Sequence, residues 1–228
     1  MSTSHIALGV TVGDTAAVTS VLVDGRDVIA AEMTNGWGEP PEQLFPALRA
    51  ETAPHEVRVA EAYCGECCGA LYVTVERRGD EVVWRDWRNP SDPRPARPAD
   101  TFDAAQYDAE LARADADRSW EWYERTVARL MHERLTQDQT PLMWWNCELD
   151  GVVAYPNKRG SVTVSYTYPR PPREHFMQFV TELPVHGGAP DVVADALVDR
   201  LCRSSPVRQD RVVGGSRAAA EAFGFGWP

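Results

Sequence analysis

The sequence contains a single lysine, Lys158, so arginine supplies nearly all of its positive charge. Asp and Glu outnumber Lys and Arg by 34 to 23, which gives a formal net charge of −11 and an isoelectric point near 4.9. The phosphate backbone of nucleic acids is bound mainly through Lys and Arg. We therefore expect no nucleic-acid partner, and we favour partners that are basic or neutral.

Long apolar runs and targeting signals are also missing. No window approaches the roughly 18 apolar residues of a transmembrane helix, and residues 1–14 lack the basic segment and apolar run of a secretory signal. The five cysteines are an odd number and do not form the framework of a disulfide-rich domain. These absences predict a soluble protein of the reducing cytoplasm, without membrane contact.

Residues 1–88 show the alternation that is typical of β-strands. Apolar residues alternate with small or polar ones from Ile6 to Val10, and turn-forming residues 24–27 separate the apolar runs 18–23 and 28–33. We expect these segments to be strands of one meander.

A Pro-rich passage follows, with four prolines in residues 89–100. Residues 104–135 then carry apolar positions at helical spacing, with a break expected at 115–119, where Ser119 would cap a second helix. A later helix is predicted to begin at Pro190. The strands predicted in the last part of the chain are 142–147, 152–155, 162–168 and 176–183.

Together these patterns predict an α+β protein with an N-terminal β-rich meander, a central amphipathic helical segment and a C-terminal antiparallel sheet with packed helices. We expect residues 1–88 to form a β-rich subdomain, 89–103 a Pro-rich linker and 104–228 an α+β subdomain. The alternative is a single integrated domain.

Three cysteines, Cys64, Cys67 and Cys68, fall within five positions. Two residues between Cys64 and Cys67 let both sulfurs face one tetrahedral zinc ion, but no paired Cys or His motif supplies the other ligands. A redox Cys-x-x-Cys site needs a helix N-terminus or positive charge beside the thiol, whereas Glu66 lies between these thiols and a strand follows. We favour a core or loop segment without a cofactor. A zinc site completed by a distant histidine is the alternative.

Glycine pairs and loop histidines give weaker signals. Gly187-Gly188 and Gly214-Gly215 precede predicted helices but lack the longer fingerprint of a phosphate loop, which favours an ordinary turn capped by Ser216. His175 and His186 occupy loop-like contexts, and no G-x-S-x-G motif accompanies them. We interpret both as solvated or packing histidines.

Tryptophan is the most suggestive residue type, with eight copies. Side chains alternate along a strand, so one ring of a cluster can face the core while its neighbour faces solvent. Exposed Trp is enriched at the centres of protein interfaces, which predicts a partner surface near the junction of the two halves. The alternative is that the rings hold the halves together. The six candidate residues are Trp84, Trp87, Trp120, Trp122, Trp144 and Trp145.

The sequence therefore predicts a soluble cytoplasmic protein-binding module that acts through an acidic surface with aromatic anchors. An immunity or antitoxin-like inhibitor is one concrete form of such a module, by analogy. A metal- or thiol-dependent enzyme that uses Cys64, Cys67 and Cys68 is the alternative. The first hypothesis requires another protein as partner and no cofactor, and the second would add zinc.

Overall fold

The computed structural model describes residues 3–33, 35–62, 69–92, 97–170, 175–203 and 211–227. The chain divides into two compact units, Met1–Trp120 and Glu121–Pro228. Each unit combines helices with antiparallel sheets, so the α+β class predicted from the sequence is confirmed. None of the described helices is long and apolar enough to cross a membrane.

The described elements of the first unit are, in chain order, β1 (Ile6–Val12), β2 (Ala17–Val23), β3 (Arg26–Asp27), α1 (Val28–Glu32), β4 (Gly36–Gly38), α2 (Pro41–Ala47), β5 (His55–Ala62), β6 (Ala70–Arg78), β7 (Glu81–Arg88), β8 (Asp100–Asp103) and α3 (Ala104–Ala116). They form a three-stranded sheet of order β1-β2-β3 and a five-stranded sheet of order β4-β5-β6-β7-β8.

The two sheets of the first unit meet at both margins. Beside β8, the Ser4 N–H donates to the Thr101 carbonyl at 2.7 Å, and just after β4 the Glu39 carbonyl accepts from the Thr19 N–H of β2 at 3.1 Å. Gly38 is required at the second contact, because a Cβ there would lie 2.0 Å from the Thr19 carbonyl oxygen. The unit thus encloses one core between two joined sheets.

The boundary between the units differs from the predicted linker at residues 89–103. Asp100–Asp103 is a strand, since β8 pairs with β7 and completes the five-stranded sheet. Tyr107 and Leu111 of α3 are buried in the core of the first unit. The helical segment that was expected to open the second half therefore belongs, in its first part, to the first unit.

The described elements of the second unit are α4 (Tyr123–Gln137), α5 (Thr140–Trp144), β9 (Glu148–Val153), β10 (Ser161–Tyr168), β11 (Met177–Pro184), α6 (Pro190–Cys202), β12 (Arg211–Gly215) and α7 (Arg217–Ala222). The strands form one antiparallel sheet of order β12-β11-β10-β9. Met131 of α4 and Leu197 of α6 pack in one core with Tyr166 and Phe179, whose rings stack 5.7 Å apart.

Two segments that were predicted as strands are helical. Residues 28–32 form α1 because the Asp27 carboxylate accepts from the Ala30 N–H at 3.0 Å and caps a helix turn. Residues 140–144 form α5, so residues 142–144 are helical where the sequence predicted the start of a strand at 142–147. Local apolar runs of this length do not distinguish a strand from a short buried helix.

The expected break between the two central helices is confirmed, but the cap is not Ser119. The second helix, α4, begins after Trp122 and has no side-chain cap. The Ser119 N–H instead donates to the Asp117 carboxylate at 2.8 Å. Pro190 does begin α6, and the Ser216 hydroxyl accepts from the Ala219 N–H and caps α7.

Candidate protein-binding site

Trp84 and Trp87 belong to the core of the first unit, so the prediction that they form a partner surface is wrong. Trp84 is 0% exposed and Trp87 is 2% exposed. The Trp84 ring makes edge contacts with Trp87, Phe102 and Tyr107 at centroid distances of 5.3 to 6.0 Å. Its Nε1–H donates to the Tyr107 hydroxyl at 3.2 Å, which satisfies the polar end of the buried ring.

A bulge in β7 turns both rings inward. Along β6 the step from Tyr72 to Thr74 is two residues, whereas the paired step on β7, from Arg88 to Arg85, is three. The bulged segment of β7 contains Asp86, whose backbone lies in the left-handed region with φ of 55°. Because the bulge shifts the two-residue alternation by one, side chains three positions apart face the same side.

Trp120, Trp122 and Trp145 are each partly buried. The Trp120 Nε1–H donates to the Asp117 carbonyl at 3.0 Å within the first unit. Trp122 and Trp145 pack against the core of the second unit, and the Arg159 guanidinium lies 5.2 Å from the Trp122 ring centroid. These three rings therefore have substantial contacts within their own units.

Trp144 is the member of the predicted set that is strongly exposed. Its side chain is 79% exposed, and the adjacent Met143 is 58% exposed. Both belong to α5, and we call these two residues the α5 patch. Trp and Met are both enriched at the cores of protein interfaces.

The α5 patch is held in a fixed position by its flanking residues. Leu142 is 1% exposed and fixes the inner side of the helix to the core. Asp138 accepts from the Thr140 N–H at 3.0 Å, and this hydrogen bonding lowers the pKa of the Asp138 carboxyl. At the other end, Asn146 adopts a left-handed φ of 57° and its carbonyl accepts from the Arg170 N–H at 2.8 Å.

A second exposed aromatic residue lies at the same end of the four-stranded sheet. Phe223, 51% exposed, follows α7 and packs edge-on against Tyr168 at 5.3 Å between ring centroids. Tyr168 ends β10, and the chain beyond it reaches Arg170, which bonds to Asn146 after α5. This end of the sheet therefore presents Met143, Trp144 and Phe223 to solvent.

The negative charge is concentrated in the other unit. Residues 1–120 contain 21 Asp and Glu against 11 Lys and Arg, whereas residues 121–228 contain 13 against 12. The first unit therefore carries a net charge of −10 and the second −1. The excess of negative charge therefore belongs to the first unit, whereas Met143, Trp144 and Phe223 belong to the second.

The predicted metal residues Cys64, Cys67 and Cys68 lie outside the described residues. Within the described part of the chain, no group of three or more His, Cys, Asp or Glu side chains could hold a metal ion. Cys147 is buried, and burial together with the negative charges of Asp138 and Asp199 raises the pKa of the Cys202 thiol. The raised pKa keeps the Cys202 thiol protonated at pH 7, the form that is not nucleophilic.

The structure brings together one Ser and His pair that sequence analysis treated separately. The Ser216 hydroxyl lies 3.4 Å from His175 Nδ1, and the same hydroxyl accepts from the Ala219 N–H as the cap of α7. The distance is at the long limit of a hydrogen bond, His175 is exposed and Ser216 is partly exposed. We interpret the contact as part of the helix cap, since no carboxylate among the described residues is shown to orient the histidine.

A cleft of about 270 Å³ lies in the first unit, and its charges are paired. Arg77 forms a 2.6 Å ion pair with Asp108, and Arg49 lies 3.6 Å from Asp115. The cleft contains none of the residues that the sequence nominated for chemistry. It therefore adds no support to an enzymatic site.

Comparison with known proteins gives no relative: no family model, curated protein or solved structure matches the chain. The α5 patch contains Trp144, which is the largely exposed member of the six tryptophans nominated from the sequence.

Proposed function

We propose that this chain is a protein-binding module and that the α5 patch is its principal anchor. The observation that carries the proposal is the exposure of Trp144, 79%, next to Met143 on a helix that is fixed at both ends. A fixed anchor loses little conformational entropy on binding, so more of its burial contributes to affinity. The near-neutral second unit also lets the patch approach a partner without strong repulsion.

The ring of Trp144 is large enough to contribute strongly to the affinity of a complex. A tryptophan buries roughly 200 Å² in an interface, and burial of that area stabilises a complex by up to ~5 kcal/mol. Central aromatic residues of this kind typically contribute about 2 kcal/mol or more when tested by alanine substitution. Loss of Trp144 should therefore weaken the complex by about 30-fold or more.

An inhibitor of the immunity or antitoxin type is one concrete form of this module, by analogy. Such proteins act by covering a target, and they need complementary charge and shape. The first unit, with its net charge of −10, favours a basic target and would accelerate its approach. The same charge supports the proposal that nucleic acid is not a partner.

We place the protein in the cytoplasm in this proposal. The support is that Cys202 carries a free thiol, as expected in a reducing compartment. The alternative function, a metal- or thiol-dependent enzyme, remains supported by the spacing of Cys64, Cys67 and Cys68.

Affinity capture from the host with three baits tests the proposal. The baits are the unchanged protein, Trp144→Ala, and Val192→Ala as a matched control, because Val192 is an apolar side chain of the same unit that is 62% exposed. We expect a partner that the unchanged protein and Val192→Ala retain and Trp144→Ala loses, with the affinity change confirmed on the purified partner. Equal capture by all three baits would contradict the α5 patch as anchor.

A further inference from the structure

The hairpin of β1 and β2 has an outer edge at β1. Gly13 and Ala16 close the hairpin through a 2.9 Å backbone hydrogen bond. In an antiparallel pair, successive residues alternate between facing the partner strand and facing away. The odd-numbered residues of β1 therefore direct their backbone groups to β2, and the even-numbered residues direct theirs outward.

Side chains of α3 occupy the first part of this outer edge. Gln106 Nε2 donates to the Ile6 carbonyl at 2.9 Å, and the Leu8 N–H donates to Glu110 Oε1 at 2.6 Å. Arg113 Nη2 then donates to the Leu8 carbonyl at 2.5 Å. The helix thus provides the hydrogen bonds that a neighbouring strand would otherwise provide at Ile6 and Leu8.

The hydrogen bonds from α3 to the outer edge of β1 end at Leu8, because α3 has no polar side chain in register with Val10. Four helix residues advance about 6 Å, close to the advance of two strand residues, so the helix residue in register after Glu110 is Ala114. Ala114 is buried and has no hydrogen-bonding side chain, and α3 ends at Ala116. Asp117, one turn beyond Arg113, uses its carboxylate to accept from Ser119.

The edge is consequently open at the end of β1. Within the described part of the chain, the outward N–H and C=O groups of Val10 and Val12 have no hydrogen-bond partner. Thr11, Val12 and the hairpin tip at residues 13–16 are all exposed, with Val12 at 39%. We call residues 10–12 the open edge.

We propose that the open edge binds an extended, basic segment of another protein, which adds as a further strand beside β1. Two residues with outward N–H and C=O groups, two positions apart, match the alternating donors and acceptors of an extended chain. The pair of valines, Val10 and Val12, offers an apolar side for β-branched residues of the segment. An uncovered edge strand that is not blunted by proline or lysine is open to such pairing.

Charge selects the basic segment as the occupant. The first unit carries a net charge of −10, and Asp14 is exposed at the hairpin tip beside the open edge. A second copy of the chain would bring an equal negative charge to the edge, which disfavours pairing between copies. A segment rich in Lys or Arg would be attracted instead.

The open edge is independent of the α5 patch, since the two lie in different units. Failure of one proposal can therefore be distinguished from failure of the other. Trp144→Ala should leave strand addition unchanged, and substitutions in the open edge should leave capture through the α5 patch unchanged.

The direct test uses a capped seven-residue peptide in which arginine alternates with valine and threonine. Binding to the full chain is measured by fluorescence anisotropy at low and high salt. We expect binding that weakens as salt rises, because the attraction is screened. The same peptide with N-methylated alternate amides should bind at least about tenfold more weakly, because it cannot form the strand hydrogen bonds.

A second test changes the protein instead of the peptide, with the substitution Val12→Pro in the open edge. Proline removes an N–H that faces outward and has no partner, a substitution that edge strands tolerate. We expect at least about tenfold weaker peptide binding, with circular dichroism and melting used to verify folding. Val12→Ala is the matched control, because it retains the N–H and should bind within about threefold of the unchanged protein.

Three results would overturn the proposal. Equal binding by Val12→Pro and Val12→Ala would show that the backbone edge is not used. Equal binding of a peptide with glutamate in place of arginine would show that the open edge does not select a basic segment. A concentration-dependent dimer in sedimentation, lost in Val12→Pro, would assign the edge to a second copy of the chain. Should Val12→Pro fail to fold, the comparison of the N-methylated and unmodified peptides on the unchanged protein decides the question.

Discussion

Glu110 accepts a 2.6 Å hydrogen bond from the backbone N–H of Leu8, a residue 102 positions earlier in the chain. A helix side chain here replaces the neighbouring strand that β1 lacks. Natural sheets commonly protect edge strands from unwanted pairing. In this chain the hydrogen bonds from α3 reach Leu8 and stop before Val10. Val10 and Val12 are thereby left as the open edge at which we propose that another chain pairs.

Glu110→Gln should lower stability in a pH-dependent way. Arg113, which forms a 2.7 Å ion pair with Glu110, lowers the pKa of the Glu110 carboxyl against the opposing effect of burial. A carboxyl whose pKa is lower in the folded than in the unfolded state stabilises the fold above the unfolded pKa, and this contribution is lost as pH falls. The unchanged protein should therefore exceed Glu110→Gln in stability at pH 7, with the difference shrinking toward pH 3.

Urea titrations at several pH values measure this difference. Glu51→Gln, an exposed carboxylate of the same unit, is the control for general charge effects. A stability difference between the unchanged protein and Glu110→Gln that stays constant from pH 7 to pH 3 would contradict the assignment.

Alanine substitution of Trp84 and of Trp144 should change the free energy of unfolding by very different amounts, because the first ring is buried and the second is exposed. Trp84 is fully buried among aromatic rings, so Trp84→Ala should lower the free energy of unfolding by about 3 to 5 kcal/mol. Trp144 is largely exposed, so Trp144→Ala should change it by less than about 0.5 kcal/mol. Urea denaturation measures both values. A large loss for Trp144→Ala would mean that this ring packs in the unbound protein.

The fold class was predictable from the sequence because strand alternation, turn residues and helical spacing are local signals. The apolar alternation from Ile6, the helix start at Pro190 and the cap at Ser216 all needed no long-range information. Residues 28–32 and 142–144 were wrongly predicted to lie in strands. Such runs are too short for periodicity to decide, and their conformation depends on the side-chain cap at Asp27 and on burial of Leu142.

The candidate site was predictable only in part. Sequence clusters identified Trp144 but gave it the same weight as Trp84 and Trp87, because the bulge at Asp86 that turns both rings inward has no clear sequence signal. The net charge of the whole chain likewise did not indicate that the first unit carries −10 and the second −1. The open edge at Val10 and Val12 depends on the register of α3 against β1, which is a tertiary relationship.

Arg58→Ala should destabilise the first unit more than Glu39→Gln. Glu39 is 3% exposed, and its carboxylate forms an ion pair with Arg58, whose Nη2 donates to Oε2 at 3.2 Å. Removal of Arg58 leaves a buried carboxylate without its counter-ion, which costs about 3 kcal/mol, the low end for buried pairs because Arg58 is partly exposed. Glu39→Gln leaves a neutral amide and an arginine that can reach water.

Arg88→Ala is the matched control for this comparison, because Arg88 pairs with Glu56 at 2.6 Å and both side chains are about half exposed. An exposed pair of this kind contributes about 1 kcal/mol or less. Urea denaturation of the three variants gives the order. Equal losses for Arg58→Ala and Arg88→Ala would show that the Glu39 pair is not effectively buried.

Thiol reactivity should separate the five cysteines into two groups and so decide the alternative function. Cys147 is buried, so its thiol should react with an aromatic disulfide reagent only after unfolding. The raised pKa of the Cys202 thiol keeps it protonated at pH 7, and its reaction should accelerate as pH rises. Fast-reacting thiols at pH 7 would therefore belong to Cys64, Cys67 and Cys68, and Cys202→Ser should leave the amplitude of the fast phase unchanged.

Added zinc then tests the metal hypothesis on that fast phase. Zinc binds thiolates, so a site formed by the three cysteines would slow the reaction at least about tenfold and would hold close to one zinc per chain. We expect no change, because no second pair of ligands accompanies Cys64 and Cys67 in the sequence. Protection of all three thiols by one equivalent of zinc would replace this interpretation with the metal-dependent alternative, and the search for activity would then begin at Cys64, Cys67 and Cys68.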